Sequence, residues 1–219
     1  HEAGWSAYVQ AKRVKATDRH ENRFTETVNG KDTPSNVVWT RTPELTPSLS
    51  IEKWDTASGW PNGDRDNKED ALTVNGDTDI TFTITNTSKT DEAGVGAIYR
   101  AKDLKLEDST IVGDAHVTDL KYPKDWDTLL LKPGDSVNVT GTLKNVSGEH
   151  TDRAKVSGTP LMECPVDDET PFDGSDADAD KDGTPVTIDG TRYCTQPAVE
   201  SATDDWNGTT VPLAQTGSA

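Results

Sequence analysis

Between Asp178 and Gly183 the chain reads DADKDG, with a carboxylate at every second position and Asp189 at the twelfth position from the first. That spacing suits a loop winding around one hard cation, because alternate side chains turn inward and the glycine permits a sharp bend. Calcium takes six to eight oxygens at roughly 2.3–2.6 Å, and Asp178, Asp180, Asp182 and Asp189 can supply much of that shell. Two features depart from a helix-flanked calcium hand. The twelfth residue is Asp rather than Glu, which shortens its reach, and Pro185 stands where no helix flanks the loop. The run also reads as a solvated acidic loop in a strongly negative chain. A second acidic group, Asp55, Asp64, Asp66, Asn67 and Asp70, precedes the strand at 73–74, and Asp204 and Asp205 come late enough to approach the same pole. Carboxylates this dense repel one another unless positive charge intervenes. A divalent ion on Asp64 and Asp66 would supply it; so would Arg65 and Lys68.

Cys164 and Cys194 are the two cysteines, and neither has a zinc-ligand or CxxC spacing. In an exported chain they form one disulfide; the other reading is two free thiols. The disulfide would close a loop of roughly 30 residues around the acidic run, worth about 3–4 kcal/mol in the chain-entropy account. Catalysis finds little support, and the chain is expected not to be an enzyme. His1, His20, His116 and His150 are scattered outside any nucleophile or metalloprotease motif, and there is no Gly-rich phosphate loop. Carboxylates abound, but abundance does not single out a glycosidase pair. The formal net charge of −17 excludes nucleic acid as a natural partner, since phosphates would be repelled. No apolar run approaches the roughly 18 residues that cross a bilayer, so the mature chain is not expected to be membrane-embedded. There is no signal peptide, so an exported protein would not natively begin at His1.

The elements that must position these residues are strands. Residues 78–87 (TDITFTITNT) alternate Ile80, Phe82 and Ile84 with threonines, the period of a half-buried strand, after a turn signal at Asn75-Gly76. Residues 97–106 are less regular. Residues 129–131 end at the turn 132–135, and alternation resumes over 136–143 through Val137, Val139 and Leu143. Residues 153–157 form another short strand ending at Gly158. No stretch has helical periodicity. Short strands separated by turns predict an all-β fold, an antiparallel Ig-like β-sandwich, with a smaller or incomplete β unit at the N-terminus. The hydrophobic fraction of 31% is low for a packed core, yet six Trp and the regular patterning argue for small ordered domains.

Near the C-terminus, after the extended stretch 207–212, stand Leu213, Ala214, Gln215, Thr216 and Gly217. This pentapeptide resembles the LPxTG sorting signal of Gram-positive surface proteins, in the LAxTG form of high-GC actinobacteria. The resemblance implies a class E-like sortase that attacks the Thr216 carbonyl, releases Gly217 and passes the acyl group to a peptidoglycan precursor. The location implied is extracellular, covalently anchored to the cell wall. The apolar helix and basic tail that follow in that family are missing, so the chain reads as a fragment cut just before its anchor. A chance match in a polar tail is the other reading.

Further upstream, LSIEK at 49–53, NGDRD at 62–66, VNG at 74–76, TITNT at 83–87, VTD at 117–119, LKPGDS at 131–136 and AKVSGT at 154–159 occur in order. These resemble the repeated Ig-like domain of actinobacterial cell-wall proteins, well over 48–160 and partially over 161–210. The organisation expected is a β segment or the end of a preceding repeat over 1–47, with a strand at 8–17. An Ig-like sandwich follows over 48–210, with a disulfide-bracketed acidic insertion at 162–197, and then a sorting tail at 211–219. Likeness to Gram-positive surface domains also implies two crosslink lysines. Lys53, on the first strand, stands where such domains place the lysine of a Lys–Asn isopeptide, with Asn207 as a late partner. Lys124, in Tyr122-Pro123-Lys124, matches the end of a pilin motif whose lysine accepts the sortase acyl group. Each also reads as an ordinary lysine.

The function expected is a non-catalytic wall-anchored surface protein, this chain being the membrane-proximal stalk that projects an upstream functional region. The alternatives are an adhesin module binding a host or surface ligand, and a sortase-polymerised pilin subunit. If calcium sits in the 178–189 run, Asp180→Ala should abolish any calcium-dependent rise in melting temperature, and an unchanged rise would place the ion elsewhere.

Overall fold

A computed structural model describes residues 20–22, 25–34, 38–40, 46–91, 93–163 and 186–210. The chain divides into two compact units, residues 1–45 with 162–196, and residues 46–161 with 197–219. The fold is all-β; among the described residues the only helical turns are two short 3-10 segments, Lys68–Asp70 and Ala101–Asp103. The strand expected at 8–17 lies outside the described residues.

In the first unit, β1 (His20–Asn22), β2 (Thr25–Val28), β3 (Lys31–Pro34) and β4 (Val38–Thr40) form two antiparallel pairs, β1 with β4 and β2 with β3. Asn29-Gly30 turns the β2–β3 hairpin with φ of 52° and 74°, the left-handed pair that Asn-Gly favours.

The second unit begins with β5 (Leu49–Asp55), β6 (Leu72–Val74), β7 (Thr78–Asn86), β8 (Tyr99–Arg100) and β9 (Lys105–Val112). It continues through β10 (Val117–Lys121), β11 (Leu130–Leu131), β12 (Ser136–Leu143) and β13 (Glu149–Gly158). Next in sequence come β14 (Leu161–Glu163), β15 (Val186–Ile188) and β16 (Thr191–Thr195), a three-stranded sheet in the order β14-β16-β15 that, Leu161 apart, belongs to the first unit. The chain ends its described course with β17 (Val199–Glu200) and β18 (Asp204–Thr210).

Two sheets make the sandwich. One runs β10-β12-β7-β5, antiparallel throughout. In the other, β13 pairs with β9 along one edge and with β17 and β18 along the other; β18 then pairs in parallel with β6. Between them lie Leu49, Ile51, Ile80, Phe82, Ile84, Val137, Val139, Leu143, Ala154, Val156 and Trp206. The alternation over 78–87 and 136–143 puts its apolar residues here: Ile80, Phe82 and Ile84 face Val137 and Val139 across a register fixed by eight residue pairs. The strand expected at 153–157 is longer than its apolar residues suggest, because β13 starts at Glu149 with polar residues turned inward. On β10 the register with β12 shifts between Thr118 and Lys121, where Asp119 adopts a φ of 56° and receives Lys144 Nζ at 2.6 Å.

The inner face is graded along its length. On β5 the inward positions run Leu49, Ile51, Lys53, Asp55, and on β13 they run His150, Asp152, Ala154, Val156. One end of the sandwich is thus apolar and the other carries buried charge. The apolar end is locked by Asn86, the last residue of β7, which is fully buried. Its Nδ2 donates to the carbonyls of Ala97 and Leu131, each at 2.9 Å, and its Oδ1 accepts the Ser88 amide at 3.0 Å. Three separate segments meet on one amide, which satisfies backbone groups that no sheet ladder reaches. Asn86→Ala should therefore destabilise the second unit by about 2–4 kcal/mol, since buried carbonyls lose their donor; chemical denaturation would measure it.

Candidate functional site

The acidic group that precedes β6 is gathered by the loop 56–66, which folds back on the end of β5. Asp55 and Gly63 are tied by the Asp55 N–H to Gly63 O bond at 2.9 Å, and Trp54 bridges Asp64. The approach requires glycine at 63, because a Cβ there would lie 2.4 Å from the Asp55 carbonyl oxygen. β18 secures the same loop from the other sheet. The buried Trp206 donates its indole N–H to Gly63 O at 3.2 Å, and Asn207 donates both its amide and its side-chain Nδ2 to Arg65 O. As a result Asp64, Asp66 and Asp204 converge, with one carboxylate oxygen from each within 4.8 Å of the others. Asp204 Oδ2 accepts the Lys53 backbone N–H, and Asp64 Oδ1 is buried with no hydrogen-bond partner.

Bringing these acids together has an electrostatic cost that shows in their titration. Burial pushes the Asp204 carboxyl up to about 8, with the charges of Asp66 and Glu52 adding to it against the hydrogen bond from the Lys53 amide. Asp64 is raised to about 6, by burial first and then by its hydrogen bond and charge contact with Asp66. Glu52 is raised as well, by burial and by Asp66. An all-oxygen donor set with an orphaned buried oxygen fits a hard cation such as calcium or magnesium, which would supply the missing counter-charge. Three carboxylates leave part of a calcium shell to backbone oxygens and water.

Arg65, which with Lys68 offered the alternative to an ion, pairs within the group with its inner member Asp55, Nε to Oδ2 at 3.3 Å, and donates Nη1 to Asp70 O, rather than with the three carboxylates that converge. Asp205 pairs with Arg153 through two hydrogen bonds of 2.7 and 2.8 Å, and Asn67 reaches Asp70 at 3.5 Å. Of the two acids late in the chain, Asp204 therefore joins the pole and Asp205 does not. Glu52, which raises both Asp64 and Asp204, gave no sequence signal beyond standing beside Lys53.

Other singled-out residues lie apart. Asp178, Asp180, Asp182, Cys164 and the pentapeptide from Leu213 to Gly217 are outside the described residues. Asp189 is the first residue of the Asp-Gly turn joining β15 to β16, with φ of 49° followed by 80° at Gly190. Cys194 is buried on β16. Lys124 is exposed in the turn after β10, beside Tyr122 and Trp126, whose rings stand 4.7 Å apart.

Lys53 is fully buried. Its Nζ lies 2.6 Å from Asp108 Oδ1 and 3.0 Å from Asp152 Oδ2, and 5.3 Å from the centre of the Phe82 ring. His150 Nε2 stands 2.9 Å from the same Asp152 oxygen, off the line of a hydrogen bond. Asn207 does not take part in this cluster: Thr151 Oγ1 donates to its Oδ1 at 2.7 Å, while its Nδ2 is held by Arg65 O.

Residues 1–43 match the family described as cell surface antigen C-terminus. No curated protein matches the chain. The family match covers the N-terminal segment alone, and it supports a surface-exposed protein.

Carboxyls that titrate higher in the fold than in the unfolded chain hold extra protons when folded, so they favour the fold in acid and oppose it as pH rises. Without divalent ions, the melting temperature should fall as pH climbs through about 6 and again through about 8. Calcium at pH 8 should reverse most of that fall, chelation should restore it, and Asp204→Asn should remove both the upper step and the calcium response. A response that survives Asp204→Asn but not Asp180→Ala would move the ion to the 178–189 run.

Proposed function

We propose that this chain is the membrane-proximal, non-catalytic stalk of a surface protein, joined to the cell wall through Thr216. The observation that carries this reading is the place of β18. It is an interior strand, zipped to β13 over six residue pairs and to β6 over three, and the sorting pentapeptide follows it after only Val211 and Pro212. Ladder hydrogen bonds lie across the strand direction, so tension entering from an anchored Thr216 loads them together rather than one by one. The family match at the N-terminus supports the surface location.

In this reading a class E-like sortase and a peptidoglycan precursor are the partners of Thr216. Calcium at Asp64, Asp66 and Asp204 stiffens the loop that β18 grips, and a Cys164–Cys194 disulfide staples the acidic insertion. A pilin role draws on one observation, the exposed Lys124, which is accessible to an acyl-enzyme. In cells making the full protein, Thr216→Ala should shift it from the muramidase-released wall fraction to the medium. Wild-type wall material running as a single band fits a stalk, whereas a ladder resistant to boiling detergent that collapses in Lys124→Arg would replace the stalk by a pilin. Retention of Thr216→Ala in the wall would overturn the anchoring assignment.

A further inference from the structure

Asparagine is followed by glycine at 29–30, 62–63, 75–76 and 207–208. Glycine carries no side chain to shield its own nitrogen, so that nitrogen can close a five-membered ring on the preceding carboxamide. Ring closure needs a free carboxamide, a Gly N–H without a partner, and a backbone free to turn about the Asn Cα–C bond. The fold meets these conditions unequally at the four pairs.

Asn207 has no free carboxamide. Thr151 Oγ1 donates to its Oδ1 at 2.7 Å, and its Nδ2 is held by Arg65 O at 2.7 Å. Gly208 also lies in the β13–β18 ladder, opposite His150. At Asn62 the Gly63 N–H is engaged by Gly59 O at 2.6 Å, and Gly63 O takes both the Asp55 amide and the Trp206 indole. Asn29 is exposed, but the β2–β3 ladder closes its turn, with Val28 facing Lys31 and both turn residues at left-handed φ. Asn75 and Gly76 differ from all three. Both are exposed, and neither the Asn75 side chain nor the Gly76 N–H makes a hydrogen bond among the described residues. They join β6 in one sheet to β7 in the other, and these strands do not pair together, so no ladder ties the turn across.

We propose that Asn75 is a site of self-modification, the one Asn-Gly of the four that deamidates readily while the protein is folded. Hydroxide from solvent takes the Gly76 amide proton, and the nitrogen attacks Asn75 Cγ. The N–Cγ bond forms, the bond from Cγ to the side-chain nitrogen breaks, and ammonia leaves with a proton from water. Water then opens the cyclic imide at either carbonyl. Opening at Cγ leaves aspartate on the original backbone. Opening at the backbone carbonyl leaves iso-aspartate, whose main chain runs through Cβ and is one methylene longer. Asparagine and water become aspartate and ammonia, with no oxidant or cofactor.

Either product adds a negative charge two residues from Asp77. The iso product also lengthens the crossing between β6, which flanks β18, and β7 inside the other sheet. By contrast, conversion at Asn62 would put another carboxylate into the acidic loop, and conversion at Asn207 would remove the donor to Arg65 O. Those are the pairs the fold protects.

The test is peptide mapping of the full chain, kept folded in mildly alkaline buffer. The peptide spanning 75–76 should exchange its amide for a carboxyl, and Edman sequencing should stop at 75 in the iso fraction. Asn75 should convert at least about 10-fold faster than Asn62 or Asn207, which react only from locally opened states. In denaturant the four pairs should react at similar rates, because all share the same local chemistry. Asn75→Gln, whose ring would need one more atom, should remove the acidic form that appears first and leave the melting temperature unchanged. A folded chain that stays intact at Asn75, or converts first at Asn29, Asn62 or Asn207, overturns the proposal. So does a preference for Asn75 that persists undiminished in denaturant.

Discussion

Lys53 carries its side-chain nitrogen into the space between two sheets, and the polar end of the sandwich is arranged around that fact. A buried charge without a partner is prohibitive, and breaking a buried pair by removing one side costs about 3–5 kcal/mol. Asp108, Asp152 and His150 therefore sit inside because Lys53 does. The arrangement also fixes register. A slip of β5 by one residue would turn Lys53 outward and leave two acids facing each other in the core, while Leu49 and Ile51 would lose their apolar surroundings.

β5 serves the acidic pole as well. The Lys53 side chain answers the inner acids, and its backbone amide is the donor to Asp204, which stands among the outer ones. β18 supplies Asp204 to the pole, Trp206 to the core and Asn207 to the loop carbonyl at 65, in the space of four residues. Packing and charge are therefore not separable here: the indole that fills the core also holds the glycine that lets the acidic loop turn.

Much of the sandwich was legible because β7 and β12 alternate cleanly and end in recognisable turns. The acidic convergence was half legible. Asp64 and Asp66 announce themselves by spacing, but Asp204 joins them only once β18 lies beside the loop, a contact across most of the chain. Asp108 and Asp152 were not legible at all. Each stands in a strand whose sequence, KLEDSTIV or EHTDRAKVSG, reads as mostly exposed and charged, because the inward residues at that end are polar. Period-two reasoning looks for apolar residues at inward positions, and here the inward positions hold the ions. The isopeptide partner implied for Lys53 by resemblance, Asn207, is on the correct strand for the outer loop rather than for the inner cluster.

The irregular β10 bears on how this sandwich meets other molecules. It is an outer strand of its sheet, and an outer strand with free amides and carbonyls invites pairing with a neighbouring molecule. The shift between Thr118 and Lys121, with Asp119 in a left-handed conformation and salt-bridged to Lys144, breaks the flat row that such pairing needs. At high concentration, sandwiches of this kind can stay separate without a spacer between them.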